Sequence, residues 1–227
     1  MTMHYRETSP RHLRAKPINP TTTAKPQLYR SAGKRALDLV LCLLAAPFAV
    51  LLVGIFALCV ARNGGKPFYS QLRIGQGGRT YRMWKLRSMI PDAEQELEAH
   101  LAQNPEARAE WDKDQKLKSD PRITPLGAFL RRASIDELPQ LWNVFKGDMS
   151  LVGPRPMMVE QQVLYPGQDY YNLRPGITGS WQVSERNKSS FAERAVFDTT
   201  YNRKVSLAED LRILLATVRV VFRATGY

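Results

Sequence analysis

The sequence is poor in the residues that build most metal and redox centres, with two cysteines and three histidines among 227 residues. Both cysteines, Cys42 and Cys59, lie inside one apolar run, where a thiol behaves as a small hydrophobe. This placement argues against a disulfide framework and predicts a catalytic part that faces a reducing compartment. His4 and His12 belong to a basic N-terminal stretch and His100 to a charged segment. No zinc cluster and no Ser-His-Asp set can be read from that spacing. Gly75-Gln76-Gly77-Gly78 is followed by neither a helix nor a GK[ST] signature, so a turn is the better reading than a phosphate loop. Acid is also scarce at the start: residues 1–35 hold eight Lys or Arg against Glu7 alone, in a chain of net charge +12. Their Pro, Thr and Ser content predicts a disordered basic arm over residues 1–33. Nucleic-acid binding would call for a basic groove with interleaved aromatics. A nearby anionic membrane is the expected partner, and nucleic acid is not.

What the chain has in quantity is one apolar run. From Ala36 to Val60 it carries a single charge, Asp38, and at 1.5 Å per residue such a helix could cross a bilayer. The long basic region before it and Arg62-Asn63 after it do not fit a cleaved signal peptide. Lys34 and Arg35 flank one end and Arg62 and Lys66 the other, so a straight span would put one basic cluster on the disfavoured side. Pro47, near the middle, removes an amide donor and crowds the Leu43 carbonyl. The residues alone leave two geometries open: a helix that enters and returns to the same face, or a kinked span.

Beyond Gly64-Gly65 the pattern becomes that of one mixed domain. Phe68–Arg73 and Thr80–Leu86 predict the two strands of a hairpin. Residues 91–118 are highly charged, with acids near the first turn and Pro105 dividing two helical pieces. The stretch from Ser206 to Phe222 predicts a helix opened by a Ser206/Glu209 capping box. Its expected apolar face is Leu207, Leu211, Leu214, Leu215 and Val218. Arg212, Arg219 and Arg223 line another face, which suits either lipid headgroups or solvent.

Chemistry concentrates between Asp120 and Gln182. In LRRASIDELPQL (Leu130–Leu141), Ser134 and Glu137 have the spacing of a helix N-cap box, with Asp136 in the first turn and Pro139 tolerated there. A helix N-terminus favours phosphate, and Arg131 and Arg132 add full charges just before it. Asp136 is expected to stay ionised and serve as nucleophile. Adjacent residues on a helix diverge by about 100°, so Asp136 and Glu137 would divide the labour, one attacking phosphorus and the other holding a divalent metal. Phosphoryl transfer between anions needs such a metal and cationic clamps. In GPRP, two prolines would hold the Arg155 fork pre-aimed at a phosphate. In RPGITG, Arg174 reads as part of a turn.

Taken together, KRALDLV before a proline-broken apolar helix, WKLRSM (Trp84–Met89), LRRASIDELPQL, SLVGPRP and RPGITGSWQV, in that order, resemble the bacterial sugar transferases known as monotopic polyprenyl-phosphate phosphoglycosyl transferases. The resemblance covers about residues 34–227. It implies a mostly helical α+β fold in which a re-entrant membrane helix hairpin (34–62) precedes a cytoplasmic catalytic domain (63–227) with a β-hairpin and surface amphipathic helices. It implies an Asp136-Glu137 dyad, with both carboxylates available to Mg²⁺. It also implies phosphate contacts from Arg131 and Arg155, basic strand residues Lys85 and Arg87, and a later Asp198–Tyr201 element. The expected reaction moves a hexose 1-phosphate, galactose first, from a UDP-hexose to undecaprenyl phosphate with release of UMP, through a covalent aspartyl intermediate. The setting implied is the cytoplasmic face of the bacterial inner membrane, in contact with lipid, at the first membrane step of exopolysaccharide synthesis. Monomer and homodimer stay open. Ala46 replaces the serine common before the helix-breaking proline, and Trp181 is displaced by one from the family's RPGITGWAQV. The competing reading is a non-catalytic basic membrane scaffold.

Overall fold

The computed structural model describes residues 28–114, 117–184 and 191–222. Most of the expected arm, residues 1–27, and Arg223 lie outside the described residues. The arm was expected to reach residue 33, but residues 28–33 are already helical and include one π-helical turn over Tyr29–Gly33. The cause is tertiary: Tyr29 donates its hydroxyl to Asp210 at 2.6 Å, and Arg30 donates to the Asn202 carbonyl at 2.6 Å.

The apolar run forms one helix, α1 (Lys34–Arg62), with Pro47 inside it. It is the one described helix long and apolar enough to cross a membrane. Its first and last turns both touch the rest of the molecule. Arg35 donates to the carbonyls of Val144 and Phe145 at 2.6 and 2.9 Å, and Asp38 accepts from the Leu151 amide at 3.0 Å. At the other end, Val60 is buried against Leu86 and Leu130, and Phe56 lies 5.9 Å from Phe129. Between them Leu43, Leu44, Phe48, Val50 and Leu51 are exposed.

The expected hairpin is β1 (Phe68–Ile74) against β2 (Thr80–Leu86). Gly77 and Gly78 turn it with φ of 69° and 77°, which only glycine adopts without strain. The outer edge of β2 is capped by one side chain. The Asn143 amide accepts from Trp84 N at 3.1 Å and donates to Arg82 O at 2.7 Å, standing in for a neighbouring strand. The charged segment folds as α2 (Ala93–Gln103) and α3 (Pro105–Asp114), with Pro105 at the start of the second helix. Then come α4 (Pro125–Arg132), α5 (Gln140–Lys146), β3 (Ser150–Val152) and β4 (Met157–Met158). Next are β5 (Gly176–Thr178), α6 (Ser180–Ser184), α7 (Arg194–Lys204) and α8 (Leu207–Phe222).

Sheet order is β2-β1-β4, all antiparallel, with β3 and β5 forming a separate parallel pair. That pair brings GPRP and RPGITG side by side: Gly176 N donates to Pro154 O at 2.8 Å, and Gly153 N donates to Thr178 O at 2.9 Å. A Cβ on Gly176 would lie 2.1 Å from Gly153 N, so the approach requires glycine. Arg174 caps the end of α5 through the Gly147 carbonyl at 3.1 Å, the structural role its turn suggested.

In α8, Ser206 Oγ accepts from Glu209 N at 3.3 Å, as the capping box predicts. The apolar face is turned differently from the expectation. Asp210 and Ile213 are buried and Leu214 packs inward, while Leu207, Leu211, Leu215 and Val218 are exposed. Asp210 sets that rotation by accepting from Lys34, Tyr29 and Tyr201.

Candidate active site

Helix α4 begins at Thr124, whose side chain accepts from Gly127 N at 2.9 Å, with Pro125 in its first turn. Gly127 lies so close to the chain after β2 that a Cβ there would sit 1.9 Å from the Ser88 carbonyl oxygen. That contact fixes α4 against β2 and aims Arg131 at Ser88, to whose Oγ it donates through Nε at 2.8 Å.

The expected capping box at the dyad does not form. Ser134 adopts φ 56° and ψ 21° and makes no side-chain cap. Its amide donates to Arg131 O at 3.1 Å, so Ser134 closes α4 instead of opening the next helix. Asp136 and Glu137 consequently sit on a single 3₁₀ turn, Ile135–Glu137, and α5 starts only at Gln140.

Asp136 is buried, and Glu137 is partly exposed. Lys85, from β2, reaches both: its Nζ is 2.7 Å from Glu137 Oε1 and 3.9 Å from Asp136 Oδ2. Burial pushes the Asp136 carboxyl up to about 6, with Glu137 adding to the rise, while Lys85 and Arg131 pull it down. The aspartate is therefore ionised at neutral pH yet more basic than a free carboxylate, a combination that suits a nucleophile. The donor set fits Mg²⁺ of the kind that keeps its waters and binds one or two carboxylates together with substrate phosphates. Asp136 and Glu137 would supply those carboxylates, and Lys85 lies close enough to neutralise part of their charge.

The other expected residues lie in three different settings. Arg155 lines a cleft with Trp181, Arg194 and Asp198, and its guanidinium carbon lies 5.4 Å from the Trp181 ring centroid. Asp198 accepts the Tyr165 hydroxyl at 2.6 Å, and burial pushes its carboxyl up to about 7. Arg87 donates to the carbonyls of Val60 and Gly64, so it closes the end of α1. Tyr201 is in the core: its hydroxyl donates to Asp210 at 2.5 Å and lies 3.3 Å from the Val152 carbonyl, and Lys34 sits 5.6 Å above its ring.

Sequence reasoning did not single out Ser88, Arg73 or Arg194. Ser88 lies within WKLRSM, a motif that could have pointed to it. Arg73 and Arg194 carry no motif signal, because tertiary folding alone brings β1 and the start of α7 to the Arg155 cleft.

The family model described as bacterial sugar transferase matches residues 29–224, and the chain belongs to that family. It is 47% identical over 195 residues to the UDP-galactose-lipid carrier transferase of Erwinia amylovora, covering 85% of this chain and 41% of the relative. It is 45% identical over 195 residues to the undecaprenyl-phosphate galactose phosphotransferase of Salmonella typhimurium, with the same coverage of 85% and 41%. The chain thus spans well under half the length of these two relatives. It matches the exopolysaccharide production protein ExoY of Rhizobium meliloti over nearly its whole length, 40% identical across 91% of this chain and 93% of the relative.

Proposed function

We propose that this protein transfers a hexose 1-phosphate, with galactose as the favoured sugar, from a UDP-sugar to undecaprenyl phosphate at the start of exopolysaccharide synthesis. The observation that carries the reading is a buried, basic aspartate on a short turn, flanked by Lys85 and Arg131, in a chain of this family. The names of the relatives supply the galactose donor and the undecaprenyl acceptor. In the first step an Asp136 oxygen attacks the phosphorus that carries the sugar. A new carboxylate–phosphorus bond forms, the bond from that phosphorus to the bridging oxygen breaks, and UMP leaves with the electron pair. In the second step a phosphate oxygen of undecaprenyl phosphate attacks the same phosphorus and releases Asp136. Arg131, oriented by Ser88, offers its fork to phosphoryl oxygens. Mg²⁺, held by Glu137 with Asp136, would neutralise charge on the transferring group.

We further place the protein on the cytoplasmic face of the inner membrane, with α1 entering and leaving on that face. Both ends of α1 are bonded to one folded body, Arg35 to α5 and the Val60 carbonyl to Arg87. Contacts from both ends to one body support a shared face over a span. The exposed stripe of α8 is suited to the same lipid surface. Incubation of the purified protein with UDP-galactose and undecaprenyl phosphate tests the reading: UMP should appear together with a lipid-linked sugar diphosphate. A preparation that binds lipid but releases no UMP from any UDP-sugar would instead be a scaffold.

A further inference from the structure

Two guanidinium groups share the Trp181 ring, and a third lies close to them. Arg155 comes from the loop after β3, Arg194 from the first turn of α7, and Arg73 from β1, next to β4. Arg155 and Arg194 place their guanidinium carbons 5.4 and 4.3 Å from the same indole ring. An aromatic face attracts a cation, but two cations sharing it repel each other. Arg73 brings a third charge, and its Nη1 donates to Pro156 O at 3.2 Å, one residue past Arg155. Burial first, and then repulsion from Arg155, holds both Arg73 and Arg194 below the usual arginine range, Arg194 at about 10. Asp198, which accepts the Tyr165 hydroxyl, offsets part of the charge at Arg194. The Nε atoms of Arg73 and Arg194 are buried with no hydrogen-bond partner, a costly state for a donor on a charged group. Two buried guanidinium Nε atoms without a partner, beside a third arginine, form a set of donors that an anion would complete. Tetrahedral phosphoryl oxygens suit planar guanidinium forks best.

We propose that Arg73 and Arg194 act with Arg155 as a binding site for a dianionic phosphoryl group, with Trp181 as the platform that holds the forks. The biological source of that anion rests on the transferase reading. It is either the diphosphate of the nucleotide sugar or the phosphate monoester of the polyprenyl acceptor.

The test uses the full chain in detergent micelles with EDTA, so that no metal mediates binding. Inorganic pyrophosphate, UMP and farnesyl phosphate are titrated by thermal shift into wild type, Arg73→Gln, Arg194→Gln and, as a control at an exposed pair, Arg212→Ala. Pyrophosphate should bind wild type and Arg212→Ala alike and bind both glutamine variants at least about tenfold more weakly, the scale of losing one charged hydrogen bond. A matching loss for UMP assigns the site to the donor, and a matching loss for farnesyl phosphate assigns it to the acceptor. Where a glutamine variant does not fold, the lysine variant at the same position replaces it and should bind with intermediate affinity, keeping the charge but losing the fork. Affinities within twofold of wild type for all three probes, or no binding of any probe to wild type, would overturn the proposal. Arginine-dependent pyrophosphate binding by a protein that transfers no sugar phosphate would keep this site and sink the transferase reading alone.

Discussion

In the proposed reaction Asp136 would attack phosphorus only as a carboxylate, and its neighbours decide the pH at which that form exists. With the carboxyl at about 6, kcat/KM should be flat near neutrality and fall about tenfold per pH unit well below 6. A pH–rate profile that stays level down to pH 4.5 would contradict this. Lys85 is the strongest influence pulling that carboxyl down, so Lys85→Gln should move the acid limb upward by about one pH unit as well as lowering the rate. Asp198 gives a stability test with a defined sign. Its folded-state pKa lies at about 7, above the 3.8 of an ordinary aspartate. Its stabilising contribution is therefore complete below pH ~4 and lost as pH rises through about 7. Asp198→Asn keeps an acceptor for Tyr165 and removes the titration. Melting temperatures measured from pH 4 to 8 should show wild type losing stability relative to the variant as pH rises. Parallel curves would refute the assignment. At this scale the sequence offered Asp136, Glu137 and Arg131 as candidates, and the structure adds their surroundings, with Lys85 reaching both carboxylates. Burial of Asp136 and the Arg73–Arg155–Arg194 cluster arise from packing between residues far apart in the chain.

The elements were more legible than the joints between them. Period-two patterning and two glycines with positive φ give the β1–β2 hairpin, and Pro105 divides α2 from α3, because these signals act within a few residues. Ser134 was misread for a tertiary reason. Ser134 closes α4, which Gly127 holds against Ser88, and its left-handed backbone forbids the N-cap geometry. The rotation of α8 was hidden likewise, because Asp210 is buried by partners that include Lys34 at the start of α1 and Tyr29 just before it. Lys34 and Asp210 form a 2.7 Å ion pair that is almost fully buried on the Asp210 side. Asp210→Ala would remove the ammonium's ion-pair partner and the acceptor of the Tyr29 and Tyr201 hydroxyls, and should cost about 3–5 kcal/mol. Arg212→Ala, at the more exposed Glu209 pair, should cost less than about 1 kcal/mol. Equal losses in denaturation of the two variants would show that the clamp on α1 has no special role.

For the molecule as a whole, the central arrangement is one long apolar helix whose two ends contact the same folded body. The basic flanks and Pro47 are compatible with the proposed return to one face, while the residues alone leave a return and a kinked span open, since both would place the same residues in lipid. In a background lacking Cys42 and Cys59, single cysteines at Ser31 and Lys66, both exposed, should resist an impermeant thiol reagent in intact cells and react after lysis. Labelling of either from outside would rule out a shared face. The most direct test of the account lies at Asp136. Wild-type enzyme, shown to be active with acceptor, is mixed with UDP-galactose in the absence of lipid phosphate, acid-quenched within one turnover, and digested for mass spectrometry. The Asp136 peptide should gain a hexose phosphate in step with UMP release, and Asp136→Asn should show neither. An unmodified peptide and no UMP, from enzyme that still transfers sugar when acceptor is added, would contradict covalent catalysis by this residue.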